Sequence, residues 1–240
     1  MKLNIFASTI EDGIMSTSKD YFPNLKKEER ELLYKNTIEK YYKKYNIDSK
    51  NVFIIPEKAN QMKARTITET TKVIKEKILL LKSTTQNLAV AVETIDEPII
   101  VATVNLDDDK SVSAVAQGSI ENLNDGLLYE MVEALMKETD APPFEMTFYI
   151  GACPSKENFI LDSVEELTSP IWKDTYEKKK KKYHLDLRYA IFNQLMKEIV
   201  DPNYIYFDSN DTTEEENYFS DITDKKGRHL ECVVYTDEEV

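Results

Sequence analysis

Short apolar runs separated by polar segments organise the stretch from Leu88 to Asn124. Runs of this length, rich in valine and isoleucine and broken by Asp and Lys, predict strands. The runs are Leu88–Val92, Pro98–Val104 and Val112–Ala116, with the acidic segment Thr94–Glu97 and a polar turn at Asp107–Lys110 between them. Loops that follow such strands often carry binding or catalytic residues. The stretch therefore predicts the strands and loops that frame a site.

The same pattern predicts further strands and three helices along the chain. The strands are Leu3–Phe6, Ile14–Ser16, Val52–Ile55, Arg65–Thr68, Lys77–Lys82, Phe144–Ile150, Glu157–Leu161, Tyr204–Phe207 and Glu231–Tyr235. The helices are Leu25–Ile47, capped by Asn24; a helix capped by Asn124 or Asp125 with an apolar stripe from Leu127 to Met136; and Leu185–Val200. Without a repeat or a Gly/Ser-rich break, we expect one α+β domain over residues 1–240.

Composition and charge exclude several classes of protein. The chain has 240 residues, of which 41% are hydrophobic and 31% charged, which is too apolar for a disordered protein. Its net charge of −13 argues against non-specific binding to nucleic acid or to an anionic membrane. No apolar run approaches the roughly 20 residues of a membrane span, and the start does not read as a signal peptide. With two cysteines and no disulfide framework, we expect a cytoplasmic protein.

Candidate chemistry is sparse, because the common nucleotide, zinc-protease, nucleophile-elbow and CxxC motifs are all missing. Glu93, Asp96 and Glu97 form an acidic trio that could bind a cation or act as acid and base, or simply face solvent at a strand end. Cys153 follows a predicted strand and is either an exposed nucleophile or an inert, half-buried thiol. His184, at a predicted helix start, and His229 are expected to be surface or capping residues.

Five consecutive lysines, Lys178–Lys182, form the strongest local charge pattern. A solvated helix face or loop explains them, because the surrounding chain is acidic. The alternative is a patch that binds an anion or an acidic partner.

Several short segments follow one another in a distinctive order: Asn60-Gln61-Met62-Lys63-Ala64, Thr94-Ile95-Asp96-Glu97, Ala116–Glu121, Ile150–Pro154, Asp186-Leu187 with Gln194-Leu195, and Tyr218-Phe219-Ser220 with Gly227-Arg228. Their order resembles the laccase-domain family, also called multicopper polyphenol oxidase-like proteins and purine nucleoside phosphorylases. In that family the segments read QxHG, TADCxP, HAGWRG, IGPxI, DL…QL and FSYRR…GR. The resemblance spans nearly the whole chain and implies mixed β-sheets flanked by helices.

The resemblance also implies site residues. It assigns Lys63 and Glu97 to a degenerate catalytic centre, and we add Cys153 to this centre as the candidate nucleophile of the loop after a predicted strand. The residues expected to contact a small-molecule ligand are Gln61, Asp96, Gly118, Ser119 and Arg228.

The departures from the family pattern fall on its metal ligands. Family members bind zinc or copper through the His of QxHG, the Cys of TADC and the His of HAGW. Those positions hold Lys63, Glu97 and Ala116 here. Imidazole and thiolate suit such metals, whereas Lys, Glu and Ala supply one useful ligand at most. We therefore expect no metal cofactor, with an ion pair between Lys63 and Glu97 in its place.

The family's arginines are also replaced. WRG becomes Ser119-Ile120-Glu121, and YRR becomes Asp221-Ile222-Thr223. Arginine binds phosphate through a planar fork of N–H donors, so their loss, together with the new acids, should repel anionic substrates.

Three hypotheses follow. The first is a divergent family member that keeps the fold and has a binding function or altered chemistry. The second is a family-type enzyme that acts on purine nucleosides such as adenosine or methylthioadenosine, or a polyphenol oxidoreductase, by analogy of fold alone. The third is a metal-free hydrolase that uses Cys153 and a histidine close to it in space.

Overall fold

The structure is a computed structural model that describes residues 1–56, 59–85, 87–106, 110–223 and 225–237. Within these residues it contains four α-helices and thirteen strands. In chain order they are β1 (Lys2–Ala7), α1 (Lys27–Lys44), β2 (Val52–Ile55), β3 (Gln61–Thr66), β4 (Glu76–Lys82), β5 (Ala89–Thr94), β6 (Ile99–Asn105), β7 (Ser111–Gln117), α2 (Ile120–Asn124), α3 (Leu127–Thr139), β8 (Thr147–Ile150), β9 (Ile160–Leu161), β10 (Tyr176–Lys179), β11 (Lys182–Leu185), α4 (Leu187–Lys197), β12 (Ile205–Phe207) and β13 (His229–Thr236).

The described strands form three sheets. A six-stranded sheet has the order β12-β8-β6-β7-β4-β3, a four-stranded sheet the order β1-β13-β5-β2, and a three-stranded sheet the order β10-β11-β9. The pairs β12–β8, β3–β4 and β2–β5 are parallel, and the other pairs are antiparallel. The prediction of mixed β-sheets flanked by helices is confirmed.

The apolar runs are continuous because their strands are buried on both faces. In β5, Val90 and Val92 pack between the two large sheets, whereas Ala89 and Ala91 pack against Tyr41 and Tyr42 of α1. The order of layers from this side is therefore α1, the four-stranded sheet and the six-stranded sheet.

The opposite face of the six-stranded sheet is covered by helices. In β4, Leu79 and Leu81 point toward the four-stranded sheet, whereas Ile78 and Leu80 join the core that contains the apolar stripes of α3 and α4. The side chains alternate because successive residues of a strand point to opposite faces. This packing holds the ends of β5, β6 and β7 in fixed positions.

The starts of α1 and α3 differ from the prediction. The helix α1 begins at Lys27 and not at Leu25, because the Glu29 carboxylate accepts the Lys26 backbone N–H at 2.7 Å. The residue before α3 is Gly126, with a φ of 86°. Asn124 does not cap α3. Its side-chain oxygen instead accepts a hydrogen bond from the Trp172 indole N–H at 2.6 Å.

Two other local predictions are wrong. Ile14–Ser16 is not a strand: Met15 is fully buried and donates its backbone N–H to the Arg228 carbonyl oxygen at 3.1 Å. His184 lies in β11 and not at a helix start, because α4 begins at Leu187 behind the Asp186 cap. The predicted turn at Asp107–Lys110 lies largely outside the described residues.

The lysine run forms neither a helix face nor an irregular loop. It forms most of the hairpin of β10 and β11, in which Lys179 pairs with Lys182. Among the described helices, none is long and apolar enough to cross a membrane.

Glu231 is a carboxylic acid buried between the two large sheets. It lies on β13, and its carboxyl group accepts a hydrogen bond from the Ile99 backbone. A Cβ atom on Gly151 would lie 2.5 Å from Glu231 Oε2, so glycine leaves room for this carboxyl group. Burial raises the pKa of Glu231 to about 8, and the nearby charge of Asp208 adds to the rise.

The protonation of Glu231 makes stability depend on pH. The pKa of Glu231 in the folded protein, about 8, lies above its ordinary value of 4.5. The contribution of Glu231 to the free energy of unfolding is therefore complete below pH 4.5 and is lost as the pH rises toward 8. We expect Glu231→Gln to be increasingly more stable than the wild type across this window, by up to a few kcal/mol. Urea unfolding at several pH values measures the difference. Exposed Glu133→Gln is the control, and a difference that does not change with pH would contradict the assignment.

Candidate functional site

The acidic trio at the end of β5, formed by Glu93, Asp96 and Glu97, points in three directions. Glu93 accepts a hydrogen bond from the Tyr34 hydroxyl of α1. Asp96 is buried beneath a later segment of the chain, and Glu97 faces a pocket. The three carboxylates therefore do not converge on a common cation.

Asp96 holds the segment 212–222 against the end of β5. It is 6% exposed and has a φ of 56°, a left-handed conformation that Asp adopts more readily than most residues. Its carboxylate accepts hydrogen bonds from Thr212 Oγ1 at 2.6 Å, Ser220 Oγ at 3.0 Å and the Asp221 backbone N–H at 2.8 Å. Asp96, predicted to contact a ligand, thus makes its contacts within the protein.

Glu97 is the carboxylic acid of the pocket. Gln117 Nε2 donates a hydrogen bond to Glu97 Oε2 at 2.7 Å, and the Ile120 backbone donates another. Burial raises the pKa of Glu97 to about 7, although the positive charge of Arg228 and these hydrogen bonds limit the rise. Glu97 is therefore partly protonated near neutral pH and can both give and accept a proton.

The pocket has a volume of about 340 Å³. Its polar lining combines acids, amides, one hydroxyl group and one guanidinium group. The lining residues are Ile95, Glu97, Gln117, Ser119, Glu121, Asn122, Asp221 and Arg228. Of the residues predicted for the site, Glu97, Ser119 and Arg228 thus line one pocket.

Gly118 and Ser119 shape the pocket wall through local structure. A Cβ atom on Gly118 would lie 2.9 Å from Ile100 Cδ1, so glycine allows close packing against β6. Ser119 caps α2, since its hydroxyl oxygen accepts the Asn122 backbone N–H at 3.1 Å. Asn122 in turn donates to the Gln117 carbonyl oxygen at 2.9 Å. These bonds fix the turn that places the Gln117 amide beside Glu97.

Lys63 and Glu97 are not brought together. Lys63 is exposed on β3, separated from β6 by β4 and β7. Neighbouring strands lie about 4.8 Å apart, so β3 and β6 run roughly 14 Å apart. In the described chain Lys63 has no ion pair with Glu97. Its positive charge instead favours the ionised form of Glu76, as does that of Arg65. Gln61, also on β3, does not line the pocket.

Sequence reasoning missed Lys77, a buried cation behind the pocket wall. Its side chain is only 6% exposed, and its ammonium group lies 2.9 Å from Glu121 Oε1 and 3.4 Å from Asp125 Oδ2. The two acids are one turn apart on and just after α2, so Lys77 fastens this short helix to β4. One signal was present in the sequence: Lys77 directly precedes the fully apolar run Ile78–Leu81 and continues the same predicted strand.

Gln117 and Asn122 were also missed as lining residues. Gln117 could have been recognised as a polar residue that ends an apolar strand. The signal for Asn122 was its position three residues after the capping Ser119.

Cys153 lies apart from the pocket and is fully buried in the core beneath α4. Burial raises the pKa of its thiol to about 11, although the Arg188 guanidinium acts against this. The environment of the thiol therefore matches the prediction of an inert cysteine and not that of an exposed nucleophile. The prediction of half burial is wrong, because the residue is fully buried.

His229 is buried too, contrary to the surface or capping role that its sequence position predicted. It is 2% exposed, and its Nδ1 lies 3.1 Å from the Ser8 carbonyl oxygen. Burial lowers the pKa of His229. Its ring packs against Tyr218 and Phe219 and so helps to hold the segment that covers the site.

The positions that the family resemblance assigns to a metal do not fit zinc or copper. Ala116 has no donor atom and is fully buried in the helix-side core. Lys63 lies at the exposed edge, which leaves Glu97 as the one of these three positions that places a donor atom in the pocket. Among the residues that the structure describes, no group of three His, Cys, Asp or Glu side chains could hold a metal ion.

Removing the Asp96 carboxylate should loosen the segment that covers the pocket. Asp96→Ala leaves two hydroxyl groups and a backbone N–H without their buried acceptor, so we expect a loss of about 3 kcal/mol in the free energy of unfolding. Asp96→Asn keeps one oxygen and suits the left-handed backbone, and it should lose less. Urea unfolding and hydrogen exchange of residues 212–222 measure the effect. Equal stability of Asp96→Ala and the wild type would contradict this anchoring role.

Comparisons with solved structures support the fold. The hypothetical protein YfiH of Bacillus licheniformis is 14% identical over 85% of this chain and 81% of that chain, with a TM-score of 0.70. YlmD of Geobacillus stearothermophilus is 15% identical over 84% and 79%, with a TM-score of 0.69. Neisseria meningitidis NMB0706 is 18% identical over 84% and 80%, with a TM-score of 0.63.

At these identities the structural likeness concerns the fold alone. Curated protein sequences include no match to the chain. The family profile described as multi-copper polyphenol oxidoreductase laccase matches residues 33–236, and the chain therefore belongs to this family.

Proposed function

We propose that this chain is a divergent laccase-domain protein that binds a small polar molecule and lacks the metal-dependent activity of its family. The observation that carries the proposal is the donor set at the three metal positions. Ala116 offers no ligand, Lys63 lies at the sheet edge, and Glu97 is already hydrogen-bonded to Gln117. Zinc and copper sites in proteins need several convergent nitrogen, sulfur or oxygen donors.

The pocket itself supports binding of a neutral or cationic ligand. Glu97, Glu121 and Asp221 contribute three carboxyl groups, against the single guanidinium of Arg228. Burial raises the pKa of Asp221, as it does that of Glu97, because it disfavours the ionised form of each acid. A ligand that donates hydrogen bonds to these acids would stabilise their ionised forms. A phosphate group would meet these acids and is disfavoured.

Metal content tests the first part of the proposal. Purified protein, incubated with zinc or copper and then dialysed, should retain far less than one metal ion per chain, because the three positions supply one donor. Inductively coupled plasma mass spectrometry measures the stoichiometry. A family member that keeps His, Cys and His at these positions is the matched control. One tightly bound ion per chain that is lost in Glu97→Ala would overturn the proposal.

A second candidate function is an enzyme that acts on purine nucleosides, by phosphorolysis or deamination. Glu97 favours it, because a pKa of about 7 suits a general acid or base. Under this candidate, adenosine would be converted with a rate that follows the ionisation of Glu97, and Glu97→Gln would lose most of the activity.

Base release and ammonia release from adenosine, with and without phosphate between pH 5 and pH 9, distinguish the two functions. We expect no turnover, as the first proposal requires. Turnover that is abolished in Glu97→Gln but kept in Cys153→Ser would instead establish the second candidate. A cytoplasmic location stays a prediction under either function.

A further inference from the structure

The lysine hairpin lies apart from the pocket and places five cations around one tip. β10 and β11 pair antiparallel and are joined by Lys180 and Lys181. Lys180 has a φ of 59°, the left-handed conformation that two-residue hairpin turns require and that glycine or asparagine adopts more easily. Every side chain from Tyr176 to Lys182 is exposed. The hairpin is thus a positive projection on a chain with a net charge of −13.

Only part of this positive charge is compensated. Lys182 pairs with Asp162, and Lys179 lies 3.7 Å from Glu177. Lys180 and Lys181 make no ion pair with any residue that the structure describes. The uncompensated charge is therefore concentrated in the turn.

Lys178, next to the turn, lies 5.1 Å above the ring of Tyr183. Tyr183 in turn meets Tyr176 edge to face, with the ring centres 6.0 Å apart. This face of the hairpin therefore combines a cation with two aromatic rings.

Protection of the sheet edge does not account for the turn lysines. Lysine on an outer strand prevents pairing with other chains, and Lys178 and Lys179 of β10 can serve that purpose. Lys180 and Lys181 lie beyond the strand, where there is no edge to protect. Adjacent like charges also repel one another, so folding alone does not favour them.

We propose that the hairpin binds an extended acidic segment of a partner protein. The ammonium groups of Lys178, Lys180 and Lys181 would meet its carboxylates. In the described part of the chain, β10 has a neighbour on one side only. Its lysines hinder pairing with neutral or basic chains but attract an acidic one, so an extended acidic segment can also add beside β10 through backbone hydrogen bonds. Tyr176 and Tyr183 offer apolar contact on the same face.

The size of the hairpin and the charge of the chain favour a short acidic segment over a nucleic acid or a membrane. β10 has four residues and spans roughly 13 Å. Salt screens electrostatic attraction beyond about 8 Å at physiological ionic strength, so the tip of the hairpin attracts only groups that lie close to it. A longer polyanion would also meet the acidic remainder of the chain and be repelled.

Binding of a fluorescein-labelled oligoglutamate peptide to the full chain tests the proposal. Fluorescence anisotropy at low salt should show saturable binding that weakens as salt is added. The double variant Lys180→Gln and Lys181→Gln should bind about tenfold more weakly, because two exposed charge contacts are lost. Lys178→Gln leaves the turn intact and should weaken binding less.

The control changes the same number of charges elsewhere. Lys40→Gln with Lys43→Gln removes two exposed lysines of α1 and should leave peptide binding unchanged. Absence of saturable binding by the wild type, or equal weakening in this control, would overturn the proposal. Tighter binding of single-stranded DNA or of phosphatidylserine vesicles through the same lysines would overturn it as well, in favour of that other partner.

Discussion

The site of this protein depends on one buried carboxylate. Asp96 lies two residues after the end of β5 in a left-handed conformation and accepts hydrogen bonds from residues more than a hundred positions later in the chain. A buried charge of this kind is stable only when its oxygens are satisfied, so the segment 212–222 must lie where it does. That segment carries Asp221 into the pocket wall. The next residue, Glu97, is thereby turned toward the same pocket.

The pocket is built by loops that two packed sheets hold in place. The strands β5, β6 and β7 still end together, because both of their faces are buried in cores that tolerate little change. The loop residues carry no such constraint, and function resides in them. A carboxylic acid held by an amide now occupies the position that the family resemblance assigns to a thiolate. Burial raises the pKa of this acid to about 7, which gives the pocket a group that can exchange a proton near neutral pH.

Buried acids recur in this acidic chain, and each is accommodated differently. Asp96 is satisfied by donors, whereas burial raises the pKa of Glu231 and favours its neutral form. Lys77 is the reverse case, a buried cation neutralised by two acids at its tip. Other charges lie at the surface, where the hairpin of β10 and β11 groups five consecutive lysines.

The sequence by itself determined most strands, the helix α3 and the family resemblance, because these follow from local periodicity and from the order of short motifs. It also identified the substituted positions Lys63, Glu97 and Ala116. Only the tertiary structure decided which of three adjacent carboxylates faces the pocket, and that Lys63 lies three strands from Glu97.

The tertiary structure likewise decided that Cys153 and His229 are buried and that the lysine run is a hairpin. Side-chain direction, burial and distance depend on partners far away in the chain. Ser220 lies 124 residues from Asp96, and no local pattern records that contact.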